Sequence, residues 1–149
     1  MNRGGHIGFT LTILSSTLYA LNLASWSYLW LALLSAFFST LPDLDLRVGA
    51  KHRRYTHSVF TALAASTSMG LLTQHLGLSF TLGFAPCMMG ILCHIAGDLL
   101  TYMSFPPLWP LSDKCVSLKL FRSDSRAANT LLLALGILAS TLLAHKAAA

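Results

Sequence analysis

Residues 78–100 read LSFTLGFAPCMMGILCHIAGDLL, 23 residues in which Asp98 is the one formal charge. A helix of about 20 mostly apolar residues crosses the hydrocarbon core of a bilayer, and this run is long enough to do so. Working outward, four more apolar runs flank it, at residues 58–76, 26–41, 7–23 and 130–144. None shows the period-two alternation that a membrane β-barrel strand needs. Residues 7–23, preceded by Arg3, have the look of a signal peptide; they are read here as the first span. The reading is therefore all-α: an integral membrane helix bundle of about five transmembrane helices in a single membrane-embedded domain over residues 1–149.

Composition points the same way. Apolar residues make up 54% of the 149 and charged residues 10%, against roughly 25% charged in an ordinary soluble domain. A soluble domain of this size has a high surface-to-volume ratio and needs more polar surface than that. Disorder, a coiled coil and a disulfide-stapled secreted module are excluded. Cys87, Cys93 and Cys115 have no CxxC spacing and read as small apolar residues.

Lysine and arginine mark the cytoplasmic side. Arg3 precedes the first run. Arg47, Lys51, Arg53 and Arg54 lie between the second and third, and Lys114, Lys119, Arg122 and Arg126 between the fourth and fifth. With five spans, nine of the ten basic residues fall on one side and only Lys146 on the other. This predicts an inner (cell) membrane protein with its N-terminus in the cytoplasm. The connection over residues 101–129 opens with Pro106, Pro107 and Pro110 around Trp109, which suits an interfacial, non-helical path. Its stretch 115–122 alternates weakly and predicts a short strand or hairpin over the cytoplasmic mouth. Asp113 and Asp124 there read as partners for Lys114 and for Arg122 or Arg126.

In so apolar a chain the remaining ionisable groups are informative, because such groups in or beside spans are costly and usually line a site. His6 starts the first span. Asp43 and Asp45 end the second, in Leu41-Pro42-Asp43-Leu44-Asp45. His52 and His57 lie before the third, and His94 and Asp98 near the end of the fourth. The predicted topology puts all seven at one side and similar depth. His94 and Asp98, four residues apart, share a helix face. Imidazole with carboxylate suits a divalent ion, zinc first and manganese or iron next, and a cation eases the crowding of aspartates. All seven are candidate ligands. Arg53 and Arg54 have the planar guanidinium geometry that matches phosphate.

The blocks Arg3…His6, LPDLD at 41–45, HRRYTHS at 52–58, HIAGDLLT at 94–101 and LWP at 108–110 resemble the YdjM-like family of predicted membrane-bound metal-dependent hydrolases, from the N-terminus to about Leu111. That family is distantly similar to zinc-dependent phospholipase C and related single-strand nucleases, helical enzymes with two or three zinc ions. The resemblance implies an N-terminal zinc ligand at His6, a ligand or base at Asp43 or Asp45, and a histidine ligand at His57. It also implies an HxxxD ligand pair at His94 and Asp98 whose carboxylate can bridge two ions. The chain lacks the group's later HxxxE block and has no Glu, so one or two ions are expected.

The expected function is a metal-dependent hydrolase acting on a phosphoester in an amphiphilic, lipid-like substrate, with its active site facing the cytoplasm. Asp43 or Asp45 would orient or deprotonate water, and Arg53 and Arg54 would stabilise phosphoryl charge. The competing readings are a metal-ion or proton transporter, which needs ionisable groups near the midplane, and a non-catalytic protein whose metal staples helices. Nucleic acid is not expected as a partner, because membrane orientation accounts for the basic residues and no aromatic–basic platform is present.

Overall fold

The computed structural model describes residues 1–44 and 56–149. Among them lie five α-helices and no strand: α1 (Arg3–Ala20), α2 (Trp26–Phe38), α3 (Val59–His75), α4 (Phe80–Leu99) and α5 (Arg126–Ala148), with a 3₁₀ turn at Pro42–Leu44 after α2. Each helix coincides with one of the apolar runs, and side-chain caps set most starts. Asn2 accepts from Gly5 N at 2.8 Å, Ser25 from Tyr28 N, Ser58 from Thr61 N at 3.1 Å and Ser125 from Ala128 N. Each cap satisfies one of the first-turn N–H groups that have no partner within the helix.

Two helices, α4 and α5, are long and apolar enough to cross a membrane on their own. α2 is apolar, but its 13 residues rise only about 20 Å. Many large apolar side chains on the outside of the bundle stand exposed, among them Trp30, Phe37, Leu63, Leu71, Leu131 and Leu138.

α4 touches α1, α2 and α3, while α1 packs most extensively against α5. α1 and α5 run parallel: Asn2 meets Asn129, Ser15 meets Ser140 at 3.1 Å, and Lys146 reaches the Tyr19 carbonyl at 3.1 Å. α2 and α4 run parallel to each other as well, since Gly90 abuts Ser35 and His94 meets Ser39. One end of the bundle thus gathers the N-termini of α1, α3 and α5 with the C-termini of α2 and α4. Arg3, Arg126 and the basic connection sit at that end and Lys146 at the other, the parity that the charge distribution predicts.

Close approach between α1 and α5 depends on glycine. A Cβ on Gly8 would sit 2.4 Å from the Leu133 backbone, and one on Gly136 2.5 Å from the Gly8 carbonyl oxygen. At the shared N-terminal end Asn129, 2% exposed, acts as a clamp. Its Nδ2 donates to the Ser123 and Ser125 carbonyls at 3.0 and 2.7 Å, and its Oδ1 accepts from Asn2 N at 3.2 Å. Asn129→Ala strands buried polar groups and is expected to cost about 1–3 kcal/mol, read as a lower melting temperature in detergent.

The connection between α4 and α5 is non-helical, as its prolines predict, but the strand or hairpin expected over 115–122 does not form. Only isolated bridges appear, Phe105 with Val116 and Thr101 with Phe121. Among the described residues the extended run has no partner strand, and Lys119 at φ 53° breaks it. Its N–H groups go instead to the end of α4: Leu118 N donates to Leu99 O at 2.7 Å and Leu120 N to Leu100 O at 2.9 Å. These are helix-terminal carbonyls that otherwise lack donor partners. Arg122 pairs with Asp124 at 3.0 Å, as the sequence suggests. The guanidinium holds the Asp124 carboxyl below its ordinary range, but so exposed a pair contributes little to stability.

Candidate metal centre

Five of the seven predicted ligands converge at the N-terminal end of α1. His6 comes from the second turn of α1. Asp43 comes from the 3₁₀ turn, where Pro42 ends the path of α2. His57 stands just ahead of the α3 cap Ser58, and that helix start is tied to the connection by Val59 N donating to Pro107 O at 3.0 Å. His94 and Asp98 lie one turn apart on the last part of α4, on one face as their spacing requires. Asp45, His52, Arg53 and Arg54 fall outside the described residues.

His6, His57, His94 and Asp98 are fully buried, and Asp43 is 14% exposed. His57 Nε2 lies 3.0 Å from His94 Nε2, 3.8 Å from Asp43 Oδ1 and 3.4 Å from Asp98 Oδ2. His94 Nε2 lies 3.7 Å from Asp43 Oδ1 and 3.8 Å from Asp98 Oδ2. Four ligands held tetrahedrally at about 2.0–2.2 Å from one ion stand roughly 3.3–3.6 Å from one another. The two Nε2 atoms stand 3.0 Å apart and each lies 3.4–3.8 Å from the Asp43 and Asp98 oxygens, close to those separations. Two histidines and two carboxylates are also a donor set that divalent transition ions accept. The residues present therefore fit a divalent ion.

His6 extends the cluster on its other side. Its ring stacks on that of His94, centroids 3.7 Å apart and 11° from parallel. Its Nε2 is 3.4 Å from Asp98 Oδ1 and 4.0 Å from Asp43 Oδ2, the carboxylate oxygens that face away from His57. Neither ring nitrogen has a hydrogen-bond partner among the described residues. A buried imidazole left in that condition is costly unless something else meets it. Ligand-capable atoms thus fall into two overlapping groups, His6 with His94 and Asp98, and Asp43 with His57 and His94.

Three contacts have no signature in the sequence. His94 Nδ1 donates to the Ser39 carbonyl at 2.6 Å, one of the acceptor groups left at the end of α2. A carbonyl only accepts, so Nδ1 carries the hydrogen and Nε2 presents its lone pair to the cluster. Thr56 Oγ1 lies 2.8 Å from His57 Nδ1. The Met1 amino group donates to Asp98 Oδ1 at 2.6 Å. Two further features hold the rings. Phe105 packs edge-on to His57 with centroids 5.9 Å apart. A Cβ on Gly90 would sit 2.3 Å from the Ser35 carbonyl oxygen, so glycine there lets α4 approach the end of α2.

Fold and site together define a helical membrane protein with a buried histidine–aspartate centre at one end of its bundle. The model of the YdjM inner membrane protein family matches residues 1–149, the whole chain, and the chain belongs to that family. It is the family that the motifs resemble. No curated protein and no solved structure matches the sequence.

Proposed function

We propose that this chain is a metal-dependent hydrolase of the inner membrane, five helices crossing the bilayer, which cleaves a phosphoester in a lipid-like substrate at the cytoplasmic face. The observation that carries the reading is that the Nε2 atoms of His57 and His94, 3.0 Å apart, each have a carboxylate oxygen of Asp43 and one of Asp98 within 3.4–3.8 Å. When bound, a divalent ion, zinc first among the candidates, supplies Lewis acidity and a water of lowered pKa.

The chain's own residues divide the remaining work. His57, His94 and Asp98, all buried, hold the charge in a dry setting where it acts strongly. Asp43, the one partly exposed member, stands where it can take a proton from an entering water. Three helix N-termini share this end of the bundle and favour an anionic group there. Arg53 and Arg54, a few residues before His57, are assigned to the phosphoryl oxygens. The end-on location suits a substrate whose head group reaches the centre while its tails stay in lipid, and it disfavours transport, which needs ionisable groups at mid-depth.

The test is hydrolysis of phosphodiester lipids in mixed micelles. Chelation should lower turnover at least about 100-fold, with recovery on adding zinc or manganese. Turnover indifferent to chelators rules out this function. The same four donors are also what a closed structural site would contain. If chelation lowers the melting temperature while no substrate is ever turned over, the metal only joins the helices.

A further inference from the structure

Resting on the metal-centre reading above, we propose that Thr56 is a positioning residue that makes His57 a metal ligand. A histidine can present Nε2 to an ion only if that nitrogen is bare of hydrogen, and in a neutral ring the hydrogen then sits on Nδ1. His94 has this arrangement imposed on it by the Ser39 carbonyl, 2.6 Å from its Nδ1. The group in the equivalent place on His57 is the Thr56 hydroxyl, 2.8 Å from Nδ1. With an ion bound it accepts from Nδ1–H, which leaves the Nε2 lone pair facing the space among His94 Nε2, Asp43 Oδ1 and Asp98 Oδ2. Without an ion the two Nε2 atoms, 3.0 Å apart, share one hydrogen; a cation that takes both lone pairs sends the His57 hydrogen to Nδ1, where the Thr56 hydroxyl can receive it.

The two supports differ in kind. A main-chain carbonyl survives any substitution at Ser39, whereas the support of His57 is one side chain and can be removed. Thr56 also sits where the chain enters α3, one residue before His57 and two before the cap Ser58. Its hydroxyl therefore links ring orientation to the start of that helix.

The experiment uses the full chain in detergent or nanodiscs, with zinc affinity measured against a competing chelator and cobalt absorption as the spectroscopic readout. Thr56→Val keeps the shape and removes the hydroxyl; Thr56→Ser restores the hydroxyl. Loss of an outer partner of a ligating histidine typically weakens metal binding about 10–100-fold. Thr56→Val is expected to show that loss with an altered cobalt spectrum, while Thr56→Ser stays within about threefold of the parent. Ser58→Ala, which removes a helix cap, should lower the melting temperature and leave affinity and spectrum unchanged. Parent-like affinity in Thr56→Val, or equal losses in the Val and Ser variants, overturns the proposal and leaves the metal centre standing. Failure of the parent chain to bind zinc or cobalt overturns both.

Discussion

On the proposed function, Asp98→Asn is expected to empty the centre of metal and abolish hydrolysis. The carboxylate meets four groups of the cluster: it lies 2.6 Å from the Met1 amine, 3.4 Å from His6 and His57, and 3.8 Å from His94. Asparagine keeps the size and removes the charge, so the bundle still folds while the histidines lose the anion that balances a cation among them. The expected loss of metal affinity exceeds about 100-fold, the upper end of what removing a mere outer partner costs. Elemental analysis of the purified variant measures it. Asp124→Asn, at the exposed pair with Arg122, should retain full metal content. Parent-like metal in Asp98→Asn would remove Asp98 from the centre.

The second large effect is on stability. Gly8→Ala should destabilise the bundle by about 3 kcal/mol, because overpacking against backbone cannot relax as a side chain would. The new Cβ would lie 2.4 Å from the Leu133 N and Cα atoms and 2.5 Å from the Leu132 carbonyl carbon. One helix of the α1–α5 pair must move, and the Asn129 clamp with it. The melting temperature in detergent should fall by roughly 6–12 °C, taking about 2–4 °C per kcal/mol for a chain of this size. Gly4→Ala is the control. Its Cβ meets nothing closer than 3.5 Å, so it should be neutral or stabilising by up to about 1 kcal/mol, since alanine is the better helix former. Equal effects of the two substitutions would mean that the close approach of α1 to α5 carries no energetic weight.

The helices were legible because each apolar run is bounded by polar or turn residues. The boundaries that moved did so for local reasons. α1 begins at Arg3 because Asn2 caps it, and α5 begins at Arg126, ahead of the expected 130, because Ser125 caps it. How many of these helices span is less legible, because α2 is short and α1 and α3 are diluted by Ser, Thr and Gly. Five centre residues could be read from parity alone, since alternating helices bring His6, Asp43, His57, His94 and Asp98 to one end. The supports of the centre could not. Ser39 acts through its carbonyl, Met1 through its amine and Thr56 through one hydroxyl among many. No residue-type pattern marks such contacts. The strand expected at 115–122 failed because alternation says nothing about whether a partner strand exists.

The donors of the centre are drawn from positions 6 to 98 and from four separate stretches of chain. A nascent chain halted before its fourth helix therefore lacks His94 and Asp98, two of the five donors that meet at the centre. On the proposed metal reading, loading follows the docking of α4, which makes metal capture a late event in biogenesis. Cells starved of the ion should accumulate a fully synthesised, membrane-inserted but proteolytically softer form, one that supplying the ion would harden without new synthesis.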